Sequence, residues 1–143
     1  MFSKTCQIAI RAMLYIANKG TAETRIDLRL LSKELEVPKP FLGQIMQKLS
    51  GKRLIESSRG PKGGFFLTKS QRQQSLLDII EATDGLHFFN ECALGLKNCS
   101  DKKPCSIHND VFPFRQHLKQ KLEETTINEA VKTISTGADA ILR

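Results

Sequence analysis

No stretch of this 143-residue chain approaches the roughly 18 consecutive apolar residues that a membrane-spanning helix needs, which sets aside channels, carriers and anchored receptors. Met1 to Cys6 carries only Lys4 and runs straight into an amphipathic pattern. It lacks the charged, then apolar, then small-residue layout of a secretory signal, so the expectation is a cytoplasmic protein with no membrane partner. Internal repeats and low-complexity tracts are missing, as are paired catalytic acids, a nucleophile elbow and a phosphate loop. Gly60 to Gly64 is too short and too basic for a nucleotide fingerprint, so the chain does not read as an enzyme. Cysteine is scarce, with 4 in all, and unevenly placed: Cys6 stands apart while Cys92, Cys99 and Cys105 share one short segment. In a cytosolic chain that clustering favours metal or redox chemistry over a disulfide framework.

Positive charge is also unevenly spread. The formal net charge is +7, yet residues 38–69 hold seven Lys or Arg against one acid, while residues 70–143 hold nine against ten. Concentrated cations are the footprint of a phosphate-binding surface, because they displace condensed counterions there; a solvated basic face is the plain alternative.

Apolar residues at three- and four-residue spacing predict a first helix from Cys6 to Asn18, stopped by Gly20. Asp27 is the expected N-cap of a short second helix with Leu28, Leu31 and Leu35 inward. After Val37-Pro38, a third helix is expected to bury Phe41, Leu42, Ile45, Met46 and Leu49 and to turn Lys39, Gln44, Gln47 and Lys48 outward. Two short helices joined by a tight turn form a helix-turn-helix candidate. Leu54 to Ser57 and Phe65 to Leu67 read as strands around the basic, glycine-rich tip Ser58 to Gly64, the layout of a wing. Ser75-Leu76-Leu77-Asp78 has the form of a capping box opening a fourth helix that runs to Gly85. A long loop is expected over Leu86 to Ile107, then a helix from near Asn109 to Thr125, which makes Pro113 tolerable, and a last short helix after Thr126. The expected fold is therefore mainly α with a small β-hairpin wing, in three parts: a winged helix-turn-helix domain (1–85), a cysteine-bearing sensor loop (86–108), and a dimerisation helix with a C-terminal extension (109–143).

Side chains at the start of a recognition helix enter the major groove first, which selects Lys39, Pro40 and Gln44 for base edges and Gln47 and Lys48 for the backbone of double-stranded operator DNA. Ser57, Arg59 and Lys62 are the wing candidates, with Arg59 and Lys62 at the tip where a phosphate or minor groove would lie. The thiols are spaced C-x6-C-x5-C, and His108 follows Cys105 after two intervening residues. Three thiolates and an imidazole suit an iron–sulfur cluster or zinc, and a disulfide switch without metal stays open. Cys6 and His87 read as a helix-face residue and a loop residue. The apolar stripe Val111, Phe114, Leu118 and Leu122 on the long helix has no evident partner within the chain, which points to a homodimer.

Phe2 to Tyr15, the Arg59-Gly60-Pro61-Lys62-Gly63-Gly64 wing, Leu77 to Ala82 and the triple-cysteine loop together resemble the Rrf-two family of winged-helix regulators over nearly the whole chain. The resemblance implies a homodimer paired through the long helix, with Arg59 entering the minor groove. It further implies Cys92, Cys99 and Cys105 as ligands of an iron–sulfur cluster, commonly 2Fe-2S, whose state sets DNA affinity. The first gap here holds six residues where well-known cluster-binding members have five. Some members use a histidine three positions after the third cysteine, which His108 matches; others use an acid on the first helix, where this chain has Gln7. A neutral amide is a poor ligand for ferric iron, so His108 is the expected fourth ligand. The rival expectation is a regulator of the same fold without metal, controlled by thiol oxidation or by a partner protein.

Overall fold

The computed structural model describes residues 1–135; the part of the predicted C-terminal extension beyond them, 136–143, lies outside the described residues. The first helix, α1 (Lys4–Lys19), starts where the Ser3 hydroxyl accepts the Cys6 amide, and it ends at Gly20, whose amide bonds back to Ile16. Its apolar face is the central wall of the core, with Ala9, Ala12, Met13 and Ile16 fully buried. Asp27 caps α2 (Leu28–Leu35) by accepting the Leu30 amide. The turn to α3 (Lys39–Gly51) is closed by Glu36 in a left-handed conformation and by a 2.6 Å bond from the Ser32 hydroxyl to the Val37 carbonyl.

The third helix buries Leu42, Ile45, Met46 and Leu49, but Phe41 stays 37% exposed, against expectation. It sits in the first turn at the edge of the apolar face, about 100° around the helix axis from the buried Leu42. The strands are β1 (Glu56–Ser58) and β2 (Gly64–Phe66), antiparallel with Ser57 opposite Phe65. Leu54 and Ile55, expected within the first strand, are instead buried beneath it. Ile26 pairs with Phe65 through two backbone bonds of 3.0 and 2.8 Å, which stitches the hairpin to the start of α2. A side chain on Gly64 (φ 147°) would come within 2.7 Å of the Ile26 carbonyl oxygen, so this close crossing requires glycine.

A short helix that the sequence reading passed over, α4 (Lys69–Arg72), opens with a capping box between Thr68 and Gln71. Arg72 donates to the carbonyls of Ala17 and Gly20, fastening this corner to the end of α1. The expected capping box of Ser75 and Asp78 opens α5 (Leu76–Thr83). The expected loop is interrupted by α6 (His87–Asn90), which carries His87 and inserts a fully buried Phe89. Next, α7 (His108–Glu124) begins a residue earlier than expected, so Pro113 lies in its second turn and the exposed Asn109 carbonyl is left to solvent. Finally α8 (Ile127–Ser135) returns to α1, burying Ile127 and Ile134 in the main core.

A second, smaller cluster joins α1, α5 and α6 through Cys6, Leu77, Ile80 and Phe89, and here the structure corrects the reading of the long helix. Leu118 and Leu122 are not an unpartnered stripe, because they pack against this cluster in the same chain. Phe114 is the exposed member, at 56%. Among the described residues no helix is long and apolar enough to cross a membrane.

Candidate nucleic-acid face and thiol site

The third helix and the wing enclose an open groove of about 560 Å³ lined by Lys39, Pro40, Gln44, Gln47 and Ser57, with Leu28 and Phe65 at its base. Lys39 and Pro40 open α3, and both line the groove. Arg59 and Lys62 are exposed on the adjoining tip, where the Gly63 amide bonds the Gly60 carbonyl and closes a four-residue turn with Pro61 at its second position. Lys48 departs from this set. It lies off the groove and donates to the Thr83 carbonyl at 3.3 Å, linking α3 to the end of α5.

Arg25 escaped the sequence reading. It bonds the Ser58 hydroxyl and the Ala22 carbonyl, and its guanidinium lies 5.2 Å from the centre of the Phe66 ring. These contacts brace the wing from the segment before α2. No periodic signal could mark it, because its wing partners, Ser58 and Phe66, lie on strands more than thirty residues away.

The second site is a cavity of about 230 Å³ bounded by the cysteine loop and the start of α7. Its reduced thiols converge: one sulfur each from Cys92, Cys99 and Cys105 lie within 4.8 Å of one another, and Cys92 and Cys105 are 3.8 Å apart. His108, the first residue of α7, places Nδ1 3.3 Å from the Cys99 sulfur and stacks on Phe112 at 5.3 Å. The loop is held largely by turns, including a reciprocal backbone pair between Ser100 and Lys103. Two bonds from α7 secure its entrance, Arg115 to the Glu91 carbonyl at 2.7 Å and Gln116 to the Phe89 carbonyl at 2.9 Å.

The thiols are not equivalent. Hydrogen bonds from the backbone at Leu96 and then Leu94, helped by the neighbouring thiols, bring Cys92 down to about 7. For Cys99 the Cys105 amide pulls downward, but desolvation and the adjoining thiols outweigh it and raise the group. Cys6 is also raised, chiefly by burial, and lies in the second apolar cluster.

Tetrahedral sites with metal–sulfur bonds of about 2.3 Å set neighbouring donor atoms about 3.8 Å apart. The 3.8 Å between Cys92 and Cys105 matches that value, and the soft thiol set fits iron or zinc; His108 Nδ1 approaches Cys99 at 3.3 Å but does not join the three sulfurs in lying within 4.8 Å of every other donor.

Fold and groove together define a winged helix-turn-helix protein. Residues 2–133 match the Rrf2 family, described as iron-dependent transcriptional regulators. A protein of Aquifex aeolicus described as an HTH-type transcriptional regulator is 28% identical over 133 residues, covering 92% of this chain and 91% of its own. The HTH-type transcriptional regulator IscR of Pectobacterium carotovorum is 27% identical, with 86% and 74% covered. Among solved structures, CymR of B. subtilis, named the global cysteine regulator, superposes with a TM-score of 0.76 at 21% identity over 93% of this chain and 97% of that one. The T. potens IscR does so with 0.71 at 21% identity, covering 96% and 92%. The chain belongs to the Rrf2 family of transcriptional regulators, and its relatives are regulators rather than enzymes.

Proposed function

We propose that this regulator binds operator DNA through α3 and the wing, and that its affinity is set by an iron–sulfur cluster, of the 2Fe-2S kind, held by Cys92, Cys99, Cys105 and His108. The observation that carries the reading is the convergence of three thiols from across the loop, with an imidazole beside them. When bound, such a group would supply a redox-sensitive tie among residues that are otherwise joined by turns.

The chain's own residues give that tie somewhere to act. Cys92 lies two residues past the end of α6, and His108 starts α7, so holding them together fixes α6 against α7. Phe89 of α6 is buried with Cys6 of α1 and Leu77 and Ile80 of α5. The end of α5 in turn accepts the Lys48 bond from the recognition helix. Order in the loop and the placement of α3 are thus biased through contiguous packing. At the DNA, Lys39, Pro40 and Gln44 are assigned to base edges, Lys62 to a phosphate, and Arg59 to the minor groove. A homodimer paired on the outer face of α7, with Phe114 at its centre, belongs to the same reading, as does a cytoplasmic setting.

The test is iron and sulfide per monomer, beside affinity for a duplex selected from random sequence, all measured anaerobically. The parent should hold iron. Cys92→Ala, Cys99→Ala or Cys105→Ala should lose it and lose the dependence of DNA affinity on it. Arg59→Ala should weaken binding by about 1–3 kcal/mol with iron intact. A parent that takes up no iron, yet changes DNA affinity reversibly with a thiol oxidant, would replace this reading with the disulfide switch.

A further inference from the structure

His108 offers two ring nitrogens, and the loop treats them differently. Nδ1 faces the Cys99 sulfur at 3.3 Å, while Nε2 lies 2.9 Å from the Asp101 carboxylate. The imidazole is nearly enclosed, its side chain 12% exposed and its face stacked on Phe112, whereas Asp101 is 83% exposed. Asp101 is nonetheless placed with care. It follows Ser100, whose backbone pairs both ways with Lys103 and whose hydroxyl accepts the Lys103 amide, so the carboxylate sits on a closed turn aimed at the ring.

A carboxylate is an acceptor only, and its partner on Nε2 must therefore be an N–H. In the neutral ring that leaves the Nδ1 lone pair facing the Cys99 sulfur. We propose that Asp101 is the positioning residue of the thiol site: it fixes His108 in the Nε2–H form and presents Nδ1 as the fourth donor to a soft transition metal or iron–sulfur group. The inference rests on the reading of the cysteine loop as a metal-binding sensor. Pairing a ligand imidazole with an outer carboxylate orients the ring and makes the facing nitrogen a better donor.

Two measurements on the full chain test it. In the reduced, metal-free protein, two-bond proton–nitrogen correlations should show His108 protonated on Nε2, and Asp101→Ala should shift the ring toward a mixture of forms. Cobalt(II) then probes the site through its thiolate and ligand-field absorption. Asp101→Ala should weaken cobalt binding by about 10- to 100-fold, Asp101→Asn should recover most of it because the amide oxygen also accepts the N–H, and Asp101→Ala with His108→Ala should bind no more weakly than His108→Ala alone. The proposal fails if parental His108 is protonated on Nδ1, or if Asp101→Ala binds cobalt like the parent while His108→Ala does not. A parent that binds neither cobalt nor iron sinks the sensor reading as well.

Discussion

The core-facing residues of α3, from Leu42 to Leu49, are at most 2% exposed, whereas no residue of α7 is buried and the loop before it holds its thiols with turns instead of packing. The difference separates two tasks. A reading helix must meet base edges in one fixed pose, and a close-packed core supplies that rigidity. A sensor must change when its ligand changes, so its resting order has to be cheap to lose. On the proposed reading the loop meets that need by making few apolar contacts, and the second cluster around Phe89 lies between it and the main core.

The sharpest way to break the comparison is to make one truncation on each side of it. Leu42→Ala removes a fully buried side chain and should cost about 2–5 kcal/mol of stability in urea denaturation. Cys99→Ala in the metal-free protein should stay within about 0.5 kcal/mol of the parent while removing iron uptake. Equal losses of stability would show that the loop is part of the core after all.

A smaller effect is expected where the wing meets the segment before α2. Gly64→Ala would press a methyl group onto the Ile26 backbone at a positive φ, costing about 1–3 kcal/mol, and operator affinity should fall with it. If Gly64→Ala kept both stability and affinity, the Ile26 bridge would not be what positions the wing.

How much of this was legible beforehand follows the same division. The helices of the reading head announced themselves through apolar spacing and caps, and Asp27, Ser75 and Gly20 act as their types suggest. The Thr68-x-x-Gln71 box was present in the sequence, but a single polar turn gives no periodic signal, so α4 went unread. Leu118 and Leu122 were legible as apolar and not as already partnered, since α6, which helps bring the second cluster to them, is only four residues long. Around the thiols, spacing named the cysteines and His108. Their convergence, and the pairing of His108 with Asp101, depend on how turns close the loop, and no pattern of residue types encodes that.

The smallest expected effect lies where the two regimes meet again, at the corner between α7 and α8. Glu129 is exposed, and its carboxylate accepts the Thr126 backbone amide and hydroxyl, the first of these being the main reason it is held below its ordinary value of 4.5. A carboxyl depressed in the folded state contributes stability that is present above its unfolded value and is lost as pH falls through the folded one. Glu129→Ala should therefore loosen the start of α8 at neutral pH, read as faster amide exchange at Val131 and Thr133, whose amides bond within the first turns that the cap secures. Its difference from the parent should persist down to about pH 5 and close below 4.5 as the parental carboxylate protonates. Because the group is exposed, the effect should be confined to local exchange, with the urea midpoint almost unmoved. A gap between parent and variant that stayed constant from pH 7 to about pH 3 would mean that side-chain packing or helix propensity, and not the charged cap, sets the order of this corner.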